Sequence, residues 1–296
     1  MANRSARRPH PHAYDCAANE RSIAADARYL AQVDAQGAYR VGYVAHNHHF
    51  LWAAAAMTGR GAAALAAARA AYPAACGPGR EDRSTGILQH YYVLPLFTLV
   101  RFGRWREILE ETLPPDVYEP YPLAIWHYAR GTALARTGRI AAARSELAAV
   151  ERLAADPRLA QARVKNINAA EALVRIARLT LTADIATAEQ RPADAVAALA
   201  EATAIEDALA YDEPHLWLAP TRHALGAALI DAGRAAEAER VYREDLAHYP
   251  DNGWSLAGLA QAQRRQGQLD AAQVTERRFL AAWRNADVEI AASRVP

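Results

Sequence analysis

From Pro220 the chain reads PTRHALGAALIDAGRAAEAERVYREDLAHYPDN, a layout that leaves little choice of fold. Leu225 and Gly226 fall in a first helix that begins near Ala219, Gly233 at a turn, Ala238 and Tyr242 in a second helix, and Pro250 at its end. Small residues let two antiparallel helices approach closely, and the proline stops the second one. Aligning on the turn glycine finds further copies, with first helices beginning near Ala45 (turn Gly59), Gln89 (turn Gly103), Ala124 (turn Gly138) and Gly253 (turn Gly267). Another copy starts near Ile176, with Gln190 replacing the glycine while Ala195, Leu199 and Ala202 keep the packing positions. Hairpins of this kind bury their apolar faces by stacking on one another, so the expected fold class is all-α and the architecture a solenoid.

The unit resembles the tetratricopeptide repeat (TPR), and that resemblance implies a right-handed α-solenoid of about six helical hairpins. The start-to-start spacings are 44, 35, 52, 43 and 34 residues, so the excess over a 34-residue period belongs in connections. Gly77 to Gly86, Leu113 to Pro122 and Asp156 to Asn168 are the insertions, all carrying Pro, Gly or polar residues. Tyr14 to Leu30 reads as a second helix without its first, so its apolar side needs a cover. The first dozen residues or another subunit of a homo-oligomer would supply one. The expected organisation is a disordered or capping segment at 1–13, a single solenoid domain at 14–285 and a C-terminal tail at 286–296.

Composition narrows the function. Lys and Arg number 34 against 33 Asp and Glu, so no global field holds a nucleic-acid backbone or an anionic membrane. No window of eighteen apolar residues free of charge exists to span a bilayer. Cys16 and Cys76 lack metal-site or disulfide spacing, and the basic, polar start of the chain is no secretory signal, so a cytoplasmic protein is expected. Alanine fills 74 of the 296 positions and favours helix, and Lys165 is the sole lysine in an arginine-rich chain.

In such hairpins the first helix lines the concave surface through a 3.6-period stripe. That register places His46, His49 and Met57 on the lining of the first repeat, His90 and Arg101 on the second, Tyr128 and Arg136 on the third, and His223 on the fifth. A peptide-binding groove is usually rich in Lys, Asn and Arg, whereas this stripe is largely apolar and carries imidazoles. In AHNHHFLW, residues 45–52, His46 and His49 are three apart on one helix face and can reach one point, while His48 points elsewhere. With His90 or His127 as a third ligand, the set suits copper or zinc; with a carboxylate such as Glu213 from YDEP, it suits iron. Arg101 and Arg136 are placed to hold an anionic ligand. HExxH, Walker, GxGxxG and GxSxG motifs are absent, Ser255 in GWSLA falls in a helix, and Asp212 beside Glu213 makes a weak acid–base pair.

AYRVGYVAHNHHFLWAAAAMTGR, WHYARGTALARTGR and the run from YDEP through EDLAHYPDNGW are similar to a group of bacterial TPR proteins with HNxHF, WHYARG and YREDL segments. The likeness covers about Asn19 to Gly267. In that group a further His-containing hairpin lies upstream; here His10 and His12 lie near where it would join. Two functions are expected. In the first, a metal, copper first and then iron or zinc, sits on His46, His49, His90 and His127. It acts on a small-molecule substrate, oxidatively, with Tyr128 and Glu213 as catalytic residues and Met57, Arg101, Arg136 and His223 lining the groove. In the second, the chain is a non-catalytic scaffold for a partner peptide or protein.

Overall fold

The computed structural model describes residues 16–33, 35, 37–77, 85–113 and 117–295. Its helices form six hairpins in chain order: α2 (Ala45–Met57) with α3 (Gly61–Cys76), α4 (Gly86–Arg101) with α5 (Trp105–Glu110), and α6 (Pro120–Arg136) with α7 (Ile140–Ala154). Then follow α9 (Ala170–Ala188) with α10 (Pro192–Asp207), α11 (Thr221–Asp231) with α12 (Ala235–His248), and α13 (Gly253–Arg265) with α14 (Leu269–Ala282). Helix α1 (Cys16–Leu30) stands alone before them and packs on α2. The all-α solenoid expected from the repeats is the fold observed. Residues 1–13 and the histidines His10 and His12 lie outside the described residues.

The six turns share one construction. Gly59, Gly103, Gly138, Gly233 and Gly267 have φ between 65° and 76°, and Gln190 has φ 58°. The residue after each donates its backbone N–H to the carbonyl five positions back. These are Arg60 to Ala55 (2.9 Å), Arg104 to Leu99 (2.9 Å), Arg139 to Leu134 (2.8 Å), Arg191 to Ala186 (2.8 Å), Arg234 to Leu229 (2.8 Å) and Gln268 to Gln263 (3.0 Å). That is the Schellman closure, in which a left-handed residue lets the chain satisfy a terminal carbonyl and reverse. Local chemistry therefore dictates the hairpin, and alanine-rich facing surfaces let the paired helices settle closely.

The insertions carry the irregular structure. Between α7 and α9 lie a short helix, α8 (Arg158–Gln161), and a two-stranded antiparallel ladder of β1 (Arg163–Val164) and β2 (Asn168–Ala169). Lys165 and Asn166, at φ 51° and 61°, form its reversal. The connection 208–220 drives Leu216, Trp217 and Leu218 into the interior.

The last hairpin meets the first. Trp254 of α13 donates its indole N–H to the Ala56 carbonyl (3.0 Å), and the Trp283 ring packs against Gly59 and Gly253, where no side chain would fit. Asp287 accepts from the backbone N–H groups of Gly61 (2.6 Å) and Ala62 (2.9 Å), capping α3 from the far end of the chain. Ser293, fully buried, donates to the His223 carbonyl (2.7 Å) and shares a hydrogen bond with the Tyr242 hydroxyl (2.6 Å). The sequence sets 286–296 apart as a tail; residues 287–295 instead return to the solenoid, because Asp287 and Ser293 complete hydrogen bonds the repeats leave open.

Candidate functional site

His49 and His90, brought together from α2 and α4, lie wholly inside the protein, with ring centroids 5.3 Å apart and planes inclined at 71°. His49 also stacks on Trp52 (5.2 Å), whose indole N–H is fixed by the Thr98 hydroxyl (2.7 Å). The Tyr121 hydroxyl meets His90 Nδ1 at 2.8 Å. His49 Nδ1, His49 Nε2 and His90 Nε2 have no hydrogen-bond partner. An unsatisfied buried polar group costs on the order of 1–3 kcal/mol, so three on adjacent rings make this pair the candidate site.

Burial, with the Lys165 ammonium adding to it, pulls His46 down to about 4 and His90 to about 3. His49 lies well below the usual imidazole range, through burial first and then the neighbouring His90 and Lys165 charges. All three rings are thus neutral at physiological pH and keep ligating lone pairs. Lys165 is itself tied down, donating to the Asp212 carboxylate (2.9 Å) and the Glu213 carbonyl (2.5 Å). Asp212 is buried in that ion pair.

The sequence-predicted residues separate into three places. His46 packs at a tilt on Phe50 (4.4 Å), which lines a pocket together with Met57, Glu213, His215 and Trp217. Glu213 accepts a hydrogen bond from the Tyr211 hydroxyl there. Arg101, Tyr128, Arg136 and His223 line a second cavity on the other side of Trp217. The chain of rings His90, Phe97, Trp217 and Tyr128, at centroid spacings of 6.1, 5.1 and 5.5 Å, joins the imidazole pair to this cavity. His127 does not join the pair: its Nδ1 is held by Glu146 of α7 at 2.6 Å, a carboxylate that Arg130 also engages. Its side chain leans toward α7 because it lies one position before the lining residue Tyr128. His223 is equally committed, between the Arg101 guanidinium (2.9 Å), Asp245 (3.1 Å) and Asn252 (2.7 Å).

Among the described residues, no three His, Cys, Asp or Glu side chains are grouped so as to hold a metal ion. Helical register misses Tyr121, whose hydroxyl holds His90 Nδ1. It also misses the Lys165–Asp212 pair and Trp217. Tyr121 sits in the first turn of its helix after an insertion, and the others lie in connections where no period applies; the one signal was that Lys165 is the sole lysine. Among the described residues no helix is long and apolar enough to cross a membrane.

A family model described as tetratricopeptide repeat matches residues 229–286, from the end of α11 to just beyond α14. No curated protein matches the chain. With six stacked hairpins closed by one common turn, and the family match at its C-terminal end, the protein is a TPR-like α-solenoid.

Proposed function

We propose that the interior of this solenoid binds a transition metal through His49 and His90 and presents it to a small molecule in the pocket beside His46. The observation that carries the reading is the three buried imidazole nitrogens without partners. The two rings, with centroids 5.3 Å apart, would each offer one nitrogen to the ion. The Tyr121 contact at Nδ1 is the outer hydrogen bond that orients a ligating imidazole and leaves Nε2 free. Two protein ligands make a weak set, which favours copper, the first-row divalent ion of highest affinity, before iron or zinc. Asp212 offsets the Lys165 charge that would otherwise oppose a cation.

A bound metal would supply Lewis-acid or redox chemistry; the chain's own part is to orient His90 through Tyr121 and to shape an apolar pocket with Phe50, Met57 and Trp217. A peptide-binding scaffold is less well supported, because Trp217 and the returning segment occupy the concave side. Elemental analysis of untagged protein, beside His49→Phe and His90→Phe variants, tests the proposal. About one equivalent of metal, lost in both variants while helicity persists, is expected. No stoichiometric metal after reconstitution with copper, iron and zinc overturns it.

A further inference from the structure

The cavity beyond Trp217 has a different chemistry. Arg101 is only 6% exposed, and among the described residues its guanidinium has no carboxylate in salt-bridge reach. It donates to the neutral His223 ring (2.9 Å) and lies 3.7 Å over Trp254, and its Nε has no partner. Burial pulls the group down to about 9, still charged at neutral pH. Arg136, across the same cavity, spends its terminal nitrogen on Asp184 (2.7 Å) and likewise keeps an unpartnered Nε. The Thr180 hydroxyl is buried and unpartnered as well, and the Thr132 hydroxyl has only the Tyr128 phenol beside it. Three donors without a partner, and the Thr132 hydroxyl, thus border one space from α4, α6 and α9.

The charges around that space are matched, but one of them only at a distance. Asp184 pairs with Arg136, and Arg294, which closes one wall together with Ser293, pairs with Asp231 outside it. Arg101 has its counter-charge in Asp245, one imidazole away, with His223 between them. An anion in the cavity would take from Arg101 a charge-assisted hydrogen bond that its unpartnered Nε does not otherwise make.

We infer that this cavity is a binding site for one small oxyanion, held by Arg101, Arg136, Thr132 and Thr180. Its volume of about 80 Å³ is room for about five water-sized groups, which fits inorganic phosphate or a short carboxylate and excludes a peptide. The site rests on none of the imidazole chemistry on the other side of Trp217.

The test is calorimetric titration of the full chain with inorganic phosphate and, separately, with malonate, at constant ionic strength in chloride. One-to-one saturable binding of either is expected, phosphate alone marking a tetrahedral site and malonate alone a carboxylate site. The Thr132→Val/Thr180→Val variant keeps every charge and removes two donors, so binding should weaken at least tenfold. Because the Thr180 hydroxyl is unpartnered without the anion, Thr180→Val alone should melt no lower than the parent when no anion is present. Arg101→Gln, checked for helicity, should abolish binding. Absence of saturable binding by both anions, or binding that the double valine variant leaves unchanged, overturns the site.

Discussion

Gln190 adopts the left-handed conformation that glycine supplies at the five other hairpin turns, and its N–H and C=O neighbours complete the same closure. A side chain there carries a cost of about 1 kcal/mol that glycine avoids, partly offset by the greater freedom of glycine in the unfolded chain. Gln190→Gly should therefore stabilise the protein by about 0.5–1 kcal/mol, seen as a higher denaturant midpoint at unchanged slope. A lower midpoint would mean that the glutamine side chain contributes more than its backbone costs. That a glutamine can hold the position explains why the repeat stays readable with its marker residue missing: the packing residues Ala195, Leu199 and Ala202 are all buried.

Between elements, one ring sets the distance of closest approach. Tyr242 of α12 is fully buried, and a Cβ added at Gly226 of α11 or Gly258 of α13 would lie 2.3 Å from its ring. The tyrosine hydroxyl is held by Ser293, so the ring has no easy way to withdraw. Alanine improves helix propensity by up to about 1 kcal/mol, but overpacking in a close-packed core costs about 1–3 kcal/mol and outweighs it. Gly226→Ala should lower stability by about 1–2 kcal/mol in denaturant unfolding. At Gly131 the added carbon meets the flexible end of Leu181 at 2.6 Å, so Gly131→Ala should cost less. Equal losses at the two sites would sink this account of the α11–α12–α13 contact.

For the whole molecule, buried histidines dominate the response to acid. His46 is drawn down to about 4 and His90 to about 3 from 6.5, and His48, His49 and His223 are lowered too, in every case chiefly by burial. Between pH 6.5 and about 4 the unfolded chain takes up protons that the folded chain refuses, so stability is full above pH 6.5 and lost as pH falls through that window. Glu206, raised to about 7 by burial, acts the opposite way: it keeps its proton in the folded state and removes stability as pH rises from 4.5 to about 7. Five imidazoles outweigh one carboxyl, so the denaturant midpoint should fall steadily from pH 7 to pH 4. His90→Phe should make that fall shallower, and a flat profile in the parent would refute the argument.

The repeat was legible because each hairpin is a local object. Its turn needs one left-handed residue and a hydrogen bond spanning five positions, and its faces need small residues at helical spacing, all within one stretch of chain. The lining register was legible for the same reason: His49, Arg101, Tyr128 and Arg136 follow from a 3.6 period alone. Which of those residues have partners is decided by groups far away in sequence. His223 meets Arg101 across 122 positions, Trp254 meets Ala56 across 198, and Asp287 caps Gly61 across 226. Lys165 and Trp217 arrive from connections that obey no period. The sequence by itself determined a stack of alanine-rich helical hairpins with imidazoles and arginines on the inner face. Only the tertiary structure decided that the stack closes on itself, occupies neither His127 nor His223 in the imidazole pair, and leaves His49, His90 and Arg101 buried with unused hydrogen-bonding atoms. Solvent would satisfy those atoms on an open solenoid; closure removes the solvent, and that is why these lining residues, and not others, are the candidates for binding.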